Sequence, residues 1–223
     1  MYELFITTKN YTTWALRPWL LMRERDIAFR ERLVHFGTAD FHTFSPSGRV
    51  PALHDGDVVV WESLAIVEYL AERHAGVWPS DPRARAWARS AASEMHAGFA
   101  TLRSRCTNSC GLRIELRDVP DALAADIARI AAIWTEGLTR FGGPFLAGAE
   151  LTAVDAFFAP VAFRAQTYSL PFTGVAADYV ARLLARPAMR EWYAAALAET
   201  EREPGHEADA RATGRWIEDL RAH

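Results

Sequence analysis

Two adjacent hydroxyl side chains, Thr12 and Thr13, lie between a β-prone run at residues 2–7 and apolar residues at helical spacing. A hydroxyl at a helix N-terminus donates a hydrogen bond to a nearby anion, and the helix dipole favours negative charge at that end. Such surroundings lower the pKa of a thiol from its ordinary value of about 8.5. The pair is therefore a candidate for holding a thiolate, with ordinary capping of a helix predicted over residues 12–25 as the alternative.

A second polar pair, Glu62 and Ser63, stands where a predicted strand passes into a predicted helix. Unpaired N–H groups at the helix start and the Ser63 hydroxyl are suited to a carboxylate. Glu62 beside them is suited to an ammonium group. Together they fit the α-amino acid end of a ligand, and a simple helix cap is again the alternative.

A third segment places Arg49, Val50 and Pro51 at the entry to a predicted β-hairpin. If the Val50–Pro51 bond is cis, the backbone N–H and C=O of Val50 face outward and pair with an extended peptide ligand. A proline that merely begins a strand is the alternative, because such prolines are common.

A small α/β domain is predicted to position these three segments. The first 77 residues alternate between strand and helix periods in the order β-α-β-(α)-β-β-α, with an Asp55-Gly56 turn inside the hairpin. Two prolines, Pro79 and Pro82, mark a linker. Residues 83–223 show helical spacing and no convincing strand, with helices predicted over 87–106, 123–141, 154–168, 175–184 and 189–197 and a short one over 216–220.

Composition excludes several classes of protein. The 223 residues are 50% hydrophobic and carry a net charge of −3, which argues against a disordered chain and against a nucleic-acid-binding protein. No apolar run is long enough for a membrane span, and the N-terminus has no pattern of a secretion signal. Cys106 and Cys110 are too few for a disulfide framework and are expected to be free thiols in a reducing, cytoplasmic compartment.

With these motifs in this order ahead of a helical half, the chain resembles the cytosolic glutathione transferases from Tyr2 to about Ala198. The resemblance is carried by Ser45–Leu53, Trp61–Leu70 and Leu151–Phe157, the last matching the family's buried helix-capping box. It implies a thioredoxin-like α/β N-terminal domain (residues 1–77) that binds glutathione. It also implies an all-α C-terminal helical bundle (residues 83–223) that contributes the electrophile pocket, and a homodimer.

The resemblance also implies roles for individual residues in binding glutathione. The backbone of Val50, beside a cis Pro51, pairs with the cysteinyl part. Glu62 and Ser63 hold the γ-glutamyl end, and Arg49 reaches the glycyl carboxylate.

The catalytic position departs from the family pattern. Thr12 falls where the serine-type classes, zeta and tau among them, keep the serine that stabilises the thiolate, and Thr13 beside it is a rival for that role. The implied function is a cytoplasmic, detoxifying glutathione transferase that activates the thiol for attack on a small electrophile, without a metal. Which threonine contacts the thiol stays open, as does the identity of the electrophile.

The helical half is expected to supply the electrophile pocket through Met95, His96, Phe99 and Arg103 on its first long helix. A packed histidine and a solvated arginine are the alternatives at two of these positions. Two other functions compete with the transferase. One is glutathione-dependent cis–trans isomerisation of a maleyl-type acid, against which the absence of a zeta-type Ser-Ser-Cys loop counts. The other is a non-catalytic binding module with the same fold.

Overall fold

The computed structural model describes residues 1–222, and its first part is built on a four-stranded mixed sheet. The strands are β1 Tyr2–Ile6, β2 Phe29–Leu33, β3 Ala52–Asp55 and β4 Val58–Trp61. They lie in the order β2-β1-β3-β4. β1 pairs in parallel with β2, and the other two pairings are antiparallel.

Two helices accompany this sheet, α1 over Leu16–Glu24 and α2 over Ser63–Ala71. Leu4 and Ile6 of β1 are fully buried, as are the apolar residues of α1. A 3₁₀ turn at Phe41–Thr43 stands where the predicted order has its optional helix. The predicted α/β arrangement is confirmed.

The second part of the chain is mainly helical, and it packs around one central helix. That helix, α6 at Ala153–Tyr168, is buried along nearly its whole length and contacts both α1 and α3, the latter at Pro82–Ala97. Within residues 1–222 none of the helices is long and apolar enough to cross a membrane. The helices are α3 Pro82–Ala97, α4 Ala100–Arg105, α5 Asp121–Phe141, α6 Ala153–Tyr168, α7 Gly174–Leu184, α8 Pro187–Ala198 and α9 Pro204–Thr213.

The start of α6 contains the expected capping box. The Thr152 side chain accepts from the backbone of Asp155, and the Asp155 carboxylate accepts from the Thr152 N–H at 2.9 Å. The same carboxylate accepts from the N–H of Leu146 and the hydroxyl of Tyr179. The box thus connects α6 to the preceding loop and to α7.

The helix predicted over residues 87–106 is interrupted. Phe99 adopts φ 59°, in the left-handed region, so α3 ends at Ala97 and a separate α4 begins at Ala100. An apolar side chain rarely takes this conformation, and the apolar spacing continues through the break, so periodicity alone does not reveal it.

The helix predicted over residues 216–220 is wrong. Gly214–Asp219 forms a strand, β6, which pairs antiparallel with β5 at Leu112–Leu116, so the helical half also holds a two-stranded sheet. The helix α9 before it was not predicted. The partners in this sheet lie about a hundred positions apart along the chain, and their pairing leaves no local signature.

Candidate active site

A cleft of about 800 Å³ lies between the sheet edge and the helical half. Its walls come from loops of the first part and from α4, α6 and α9 of the second. Its lining includes Thr12, Thr13, Trp14, Phe36, Phe41, Arg49, Val50, Arg103, Asn108, Arg164 and His206.

Thr12 and Thr13 both face this cleft, from a loop rather than from a helix. The N–H of Thr12 donates to the carbonyl of Thr8 at 3.1 Å, and α1 begins only at Leu16. The expected helix start at residue 12 is therefore wrong. Neither threonine hydroxyl donates or accepts a hydrogen bond within residues 1–222, although the side chains are only 7% and 6% exposed. Both hydroxyls are free for a ligand.

The segment Arg49–Pro51 also contributes to the cleft. The Val50–Pro51 peptide bond is cis, and Pro51 is buried. Val50 and the exposed Arg49 both line the cleft. Among the described residues, no hydrogen bond engages the backbone N–H or C=O of Val50, which leaves both groups for an extended ligand.

Glu62 and Ser63 lie outside the lining of this cleft, at the start of α2. Glu62 is exposed and adopts φ 70°, a conformation that costs a non-glycine residue about 1–3 kcal/mol. Ser63 is fully buried, and its Oγ lies 3.4 Å from Nη1 of Arg17. The polar pair is thus backed by a cation from α1.

Arg17 is fully buried, and within the described residues it has no acidic partner in hydrogen-bond or ion-pair contact. Its guanidinium lies 4.2 Å from the ring of Trp14 and 4.7 Å from that of Phe157, and Nη1 also contacts Nδ1 of His96 at 3.4 Å. Nε and Nη2 have no hydrogen-bond partner within residues 1–222. Burial is the main reason that its pKa lies well below the usual range.

The four residues expected to line the electrophile pocket do not all reach the cleft. Met95 is fully buried and Phe99 nearly so, and both belong to the core. His96 packs edge-on against Trp14 at 5.2 Å, and burial lowers its pKa. Of the four, Arg103 alone is part of the cleft lining.

Comparison with known proteins agrees with this architecture. Residues 11–73 match the model of the glutathione S-transferase N-terminal domain, the stretch that holds the threonine loop, the cis-proline and the Glu62-Ser63 pair. This first part of the chain is therefore similar to the glutathione-binding domain of the glutathione transferases.

The relatives of this chain are distant in sequence. It is 33% identical to glutathione S-transferase GstB of Escherichia coli over 107 residues, covering 41% of this chain and 51% of that protein. It is 26% identical to a stringent starvation protein A homolog of Pasteurella multocida over 171 residues, 75% of this chain and 77% of that protein.

Solved glutathione transferases share the fold. A homolog from Burkholderia with bound glutathione superposes with a TM-score of 0.66 at 22% identity, covering 87% of this chain and 97% of that one. A tau-class enzyme from mango gives 0.67 at 19% identity, covering 95% and 96%.

Sequence reasoning missed two features of the cleft. Arg164, in the middle of the apolar run of α6, lines it; a lone arginine between buried apolar positions was the available signal. His206 and Asp209 of α9 also line it. The Tyr11 hydroxyl donates to Glu207 at 2.6 Å and so fastens α9 over the threonine loop, a contact without a local sequence signal.

Proposed function

We propose that this chain is a glutathione transferase in which a hydroxyl of the Thr12-Thr13 pair holds the glutathione thiolate. The observation that carries the proposal is that both hydroxyls are unpartnered and face the same cleft as the free backbone of Val50. A thiol that occupies this cleft while its peptide pairs with Val50 comes within reach of the threonine loop.

The remaining parts of glutathione have candidate partners on the same side. The backbone of Val50 pairs with the cysteinyl residue. Glu62 takes the α-ammonium of the γ-glutamyl end while Ser63, backed by Arg17, takes its carboxylate. Arg49, exposed on the cleft wall, reaches the glycyl carboxylate. Residues 1–77 then act as the glutathione domain, and residues 83–223 supply the pocket for the electrophile.

The proposed reaction begins with ionisation of the thiol, whose proton passes to water. A hydroxyl hydrogen bond to the thiolate favours the charged form, and each unit by which the thiol pKa falls is worth about 1.4 kcal/mol. The sulphur then forms a bond to the electrophilic carbon, and a leaving group departs or a proton is added. From the resemblance we also propose that the protein is cytoplasmic, acts in detoxification and forms a homodimer.

A non-catalytic binding module is the second candidate. It is favoured by the similarity to a stringent starvation protein A homolog over 77% of that protein's length, since that protein is named for a starvation response rather than for a reaction. The free hydroxyls of Thr12 and Thr13 favour the transferase instead.

An ultraviolet difference titration with glutathione near neutral pH separates the two candidates. Thr12→Ala and Thr13→Ala are compared with Thr7→Ala, which removes a hydroxyl from the same cleft wall whose oxygen is itself buried. Loss of a charge-assisted hydrogen bond is expected to raise the bound thiol's pKa by about 1–2 units in one threonine variant only. Glutathione binding without thiolate absorbance would point to a non-catalytic carrier of glutathione. No binding would overturn the transferase proposal and leave the non-catalytic interaction module.

A further inference from the structure

Two arginines of the helical half face the cleft without an acidic partner. Arg164 is 4% exposed and donates from Nε to the carbonyl of Cys106 at 2.7 Å and from Nη1 to that of Pro160 at 3.5 Å. Arg103 donates from Nε to the carbonyl of Gly98 at 3.0 Å and from Nη2 to another backbone carbonyl. Within residues 1–222 neither forms an ion pair with a carboxylate.

Other arginines of the chain do find acidic partners. Arg105, on the same short helix as Arg103, pairs with Asp118, and Arg129 of α5 pairs with Glu94 at 2.7 Å. Asp209 also lines the cleft but forms no ion pair with Arg103 or Arg164 among the described residues. Arg103 and Arg164 therefore differ from the arginines that form ion pairs with carboxylates.

Keeping Arg103 and Arg164 both charged in this cleft is unfavourable without a bound anion. Burial, and then repulsion by Arg164, lowers the pKa of Arg103 to about 10, and burial lowers that of Arg164. A pKa of about 10 keeps Arg103 cationic at neutral pH, and an arginine ordinarily keeps its charge in a protein. A bound anion relieves this cost, and a guanidinium fork is well matched to the two oxygens of a carboxylate.

Aromatic side chains also line the cleft. The ring of Trp14 lies 4.7 Å from Cζ of Arg103, and Phe36 and Phe41 also line the cleft, with their ring planes 18° apart. These faces suit a planar, unsaturated body beside the charged group. The proposed partners of the glutathione peptide, Arg49 and Val50, are separate from these residues.

We propose that the second substrate of this site is an aromatic or conjugated electrophile that carries a carboxylate, bound by Arg103 and Arg164. The proposal rests on the proposed glutathione chemistry for its reaction. The binding of the anion itself depends only on the two arginines and the aromatic side chains, so it is testable separately.

The kinetic test compares 4-chloro-3-nitrobenzoate with 4-chloro-3-nitrobenzamide. In both, the glutathione thiolate forms a C–S bond at the carbon that loses chloride, so only the charge of the remote group differs. After division by the uncatalysed rates, we expect kcat/KM to favour the benzoate about tenfold or more. Arg103→Gln is expected to remove this preference by raising KM for the benzoate. Arg105→Gln, on the same helix, is expected to leave the preference unchanged.

The binding test uses 3-nitrobenzoate and 3-nitrobenzamide, which do not react, and calorimetry with and without glutathione. Tighter binding of the benzoate, weakened about ten- to a hundredfold in Arg103→Gln, supports the proposal. Arg103→Lys keeps the charge and is expected to recover part of the affinity, which separates loss of charge from misfolding.

Two results overturn the proposal. One is equal binding of benzoate and benzamide to the unaltered protein. The other is an Arg103→Gln variant that loses glutathione affinity and keeps benzoate affinity, because the arginines then serve the peptide. If neither chlorinated compound is turned over but the benzoate binds selectively, the transferase proposal fails and the anion site stands.

Discussion

Nη1 of Arg17 lies 3.4 Å from Oγ of Ser63, and this contact places a fully buried cation of α1 directly behind the first residue of α2. A buried charge without an acid costs free energy, here offset by the faces of Trp14 and Phe157. The arrangement points positive charge towards the place where a ligand carboxylate is proposed to bind.

Replacement of Arg17 by methionine is expected to weaken glutathione binding without loss of stability. The change removes a buried charge and keeps an unbranched side chain, so the midpoint of urea unfolding should equal or exceed that of the unaltered protein. Glutathione affinity, measured by calorimetry, should fall about tenfold, because Ser63 loses its partner.

The control for this variant is Arg23→Met at the exposed end of the same helix. It should leave glutathione affinity unchanged. If Arg17→Met lowers the unfolding midpoint together with the affinity, Arg17 is required for folding rather than for the ligand.

Substitution of Glu62 by glutamine should reduce glutathione affinity about tenfold, because only the α-ammonium of the γ-glutamyl end loses its charged partner. The Glu62 side chain is exposed and forms no hydrogen bond or ion pair within residues 1–222, so the free energy of unfolding should change by less than about 0.5 kcal/mol. The measurement compares glutathione with an analogue that lacks the α-amino group. An equal loss for both ligands would contradict the assigned role.

The sequence predicts the features that depend on short-range signals. The mixed sheet, the cis-proline segment and the capping box of Thr152 and Asp155 all follow from local patterns or from the family resemblance, and the structure contains each of them. Turn residues, alternation and capping are decided by neighbours along the chain.

The features that escaped prediction depend on distant contacts. β5 pairs with β6 across about a hundred residues, and α9 is fastened to the threonine loop by Tyr11 and Glu207. Arg17 and Arg164 stand in apolar segments where periodicity assigns only core positions, so their place at the site depends on the packing of several helices.

Loss of the carboxylate at Glu207 should loosen the C-terminal segment. Glu207 accepts from the Tyr11 hydroxyl at 2.6 Å and from Arg221 at 2.5 Å, and Arg221 is almost fully buried. Glu207→Gln leaves that guanidinium with Asp219 as its acidic partner, so we expect a loss of about 2 kcal/mol in the free energy of unfolding and faster proteolysis within α9.

The matched control is Glu218→Gln on β6, an exposed position. It should change neither stability nor proteolysis. Unaltered cleavage of α9 in Glu207→Gln would show that the contact with Tyr11 does not hold the segment in place.

Asp155 is expected to make stability depend on pH. Burial raises the pKa of Asp155 to about 6, against the hydrogen bonds that its carboxylate accepts. The unfolded value is about 3.9. Between these two values the native state binds the extra proton, so this group's contribution to the free energy of unfolding falls as pH rises. The stabilising contribution of Asp155 is complete below about pH 4 and is lost by about pH 7, a change of about 3 kcal/mol in the free energy of unfolding.

The measurement is urea unfolding from pH 4 to 7.5 for the unaltered protein and for Asp155→Asn, which does not titrate. The difference in unfolding free energy between the two should decline as pH rises across this window. Tyr179→Phe removes a donor to the carboxylate at 2.8 Å, which destabilises the charged form and should shift the decline to higher pH. A difference that stays flat or grows with pH would show that the hydrogen bonds outweigh burial and keep Asp155 ionised throughout.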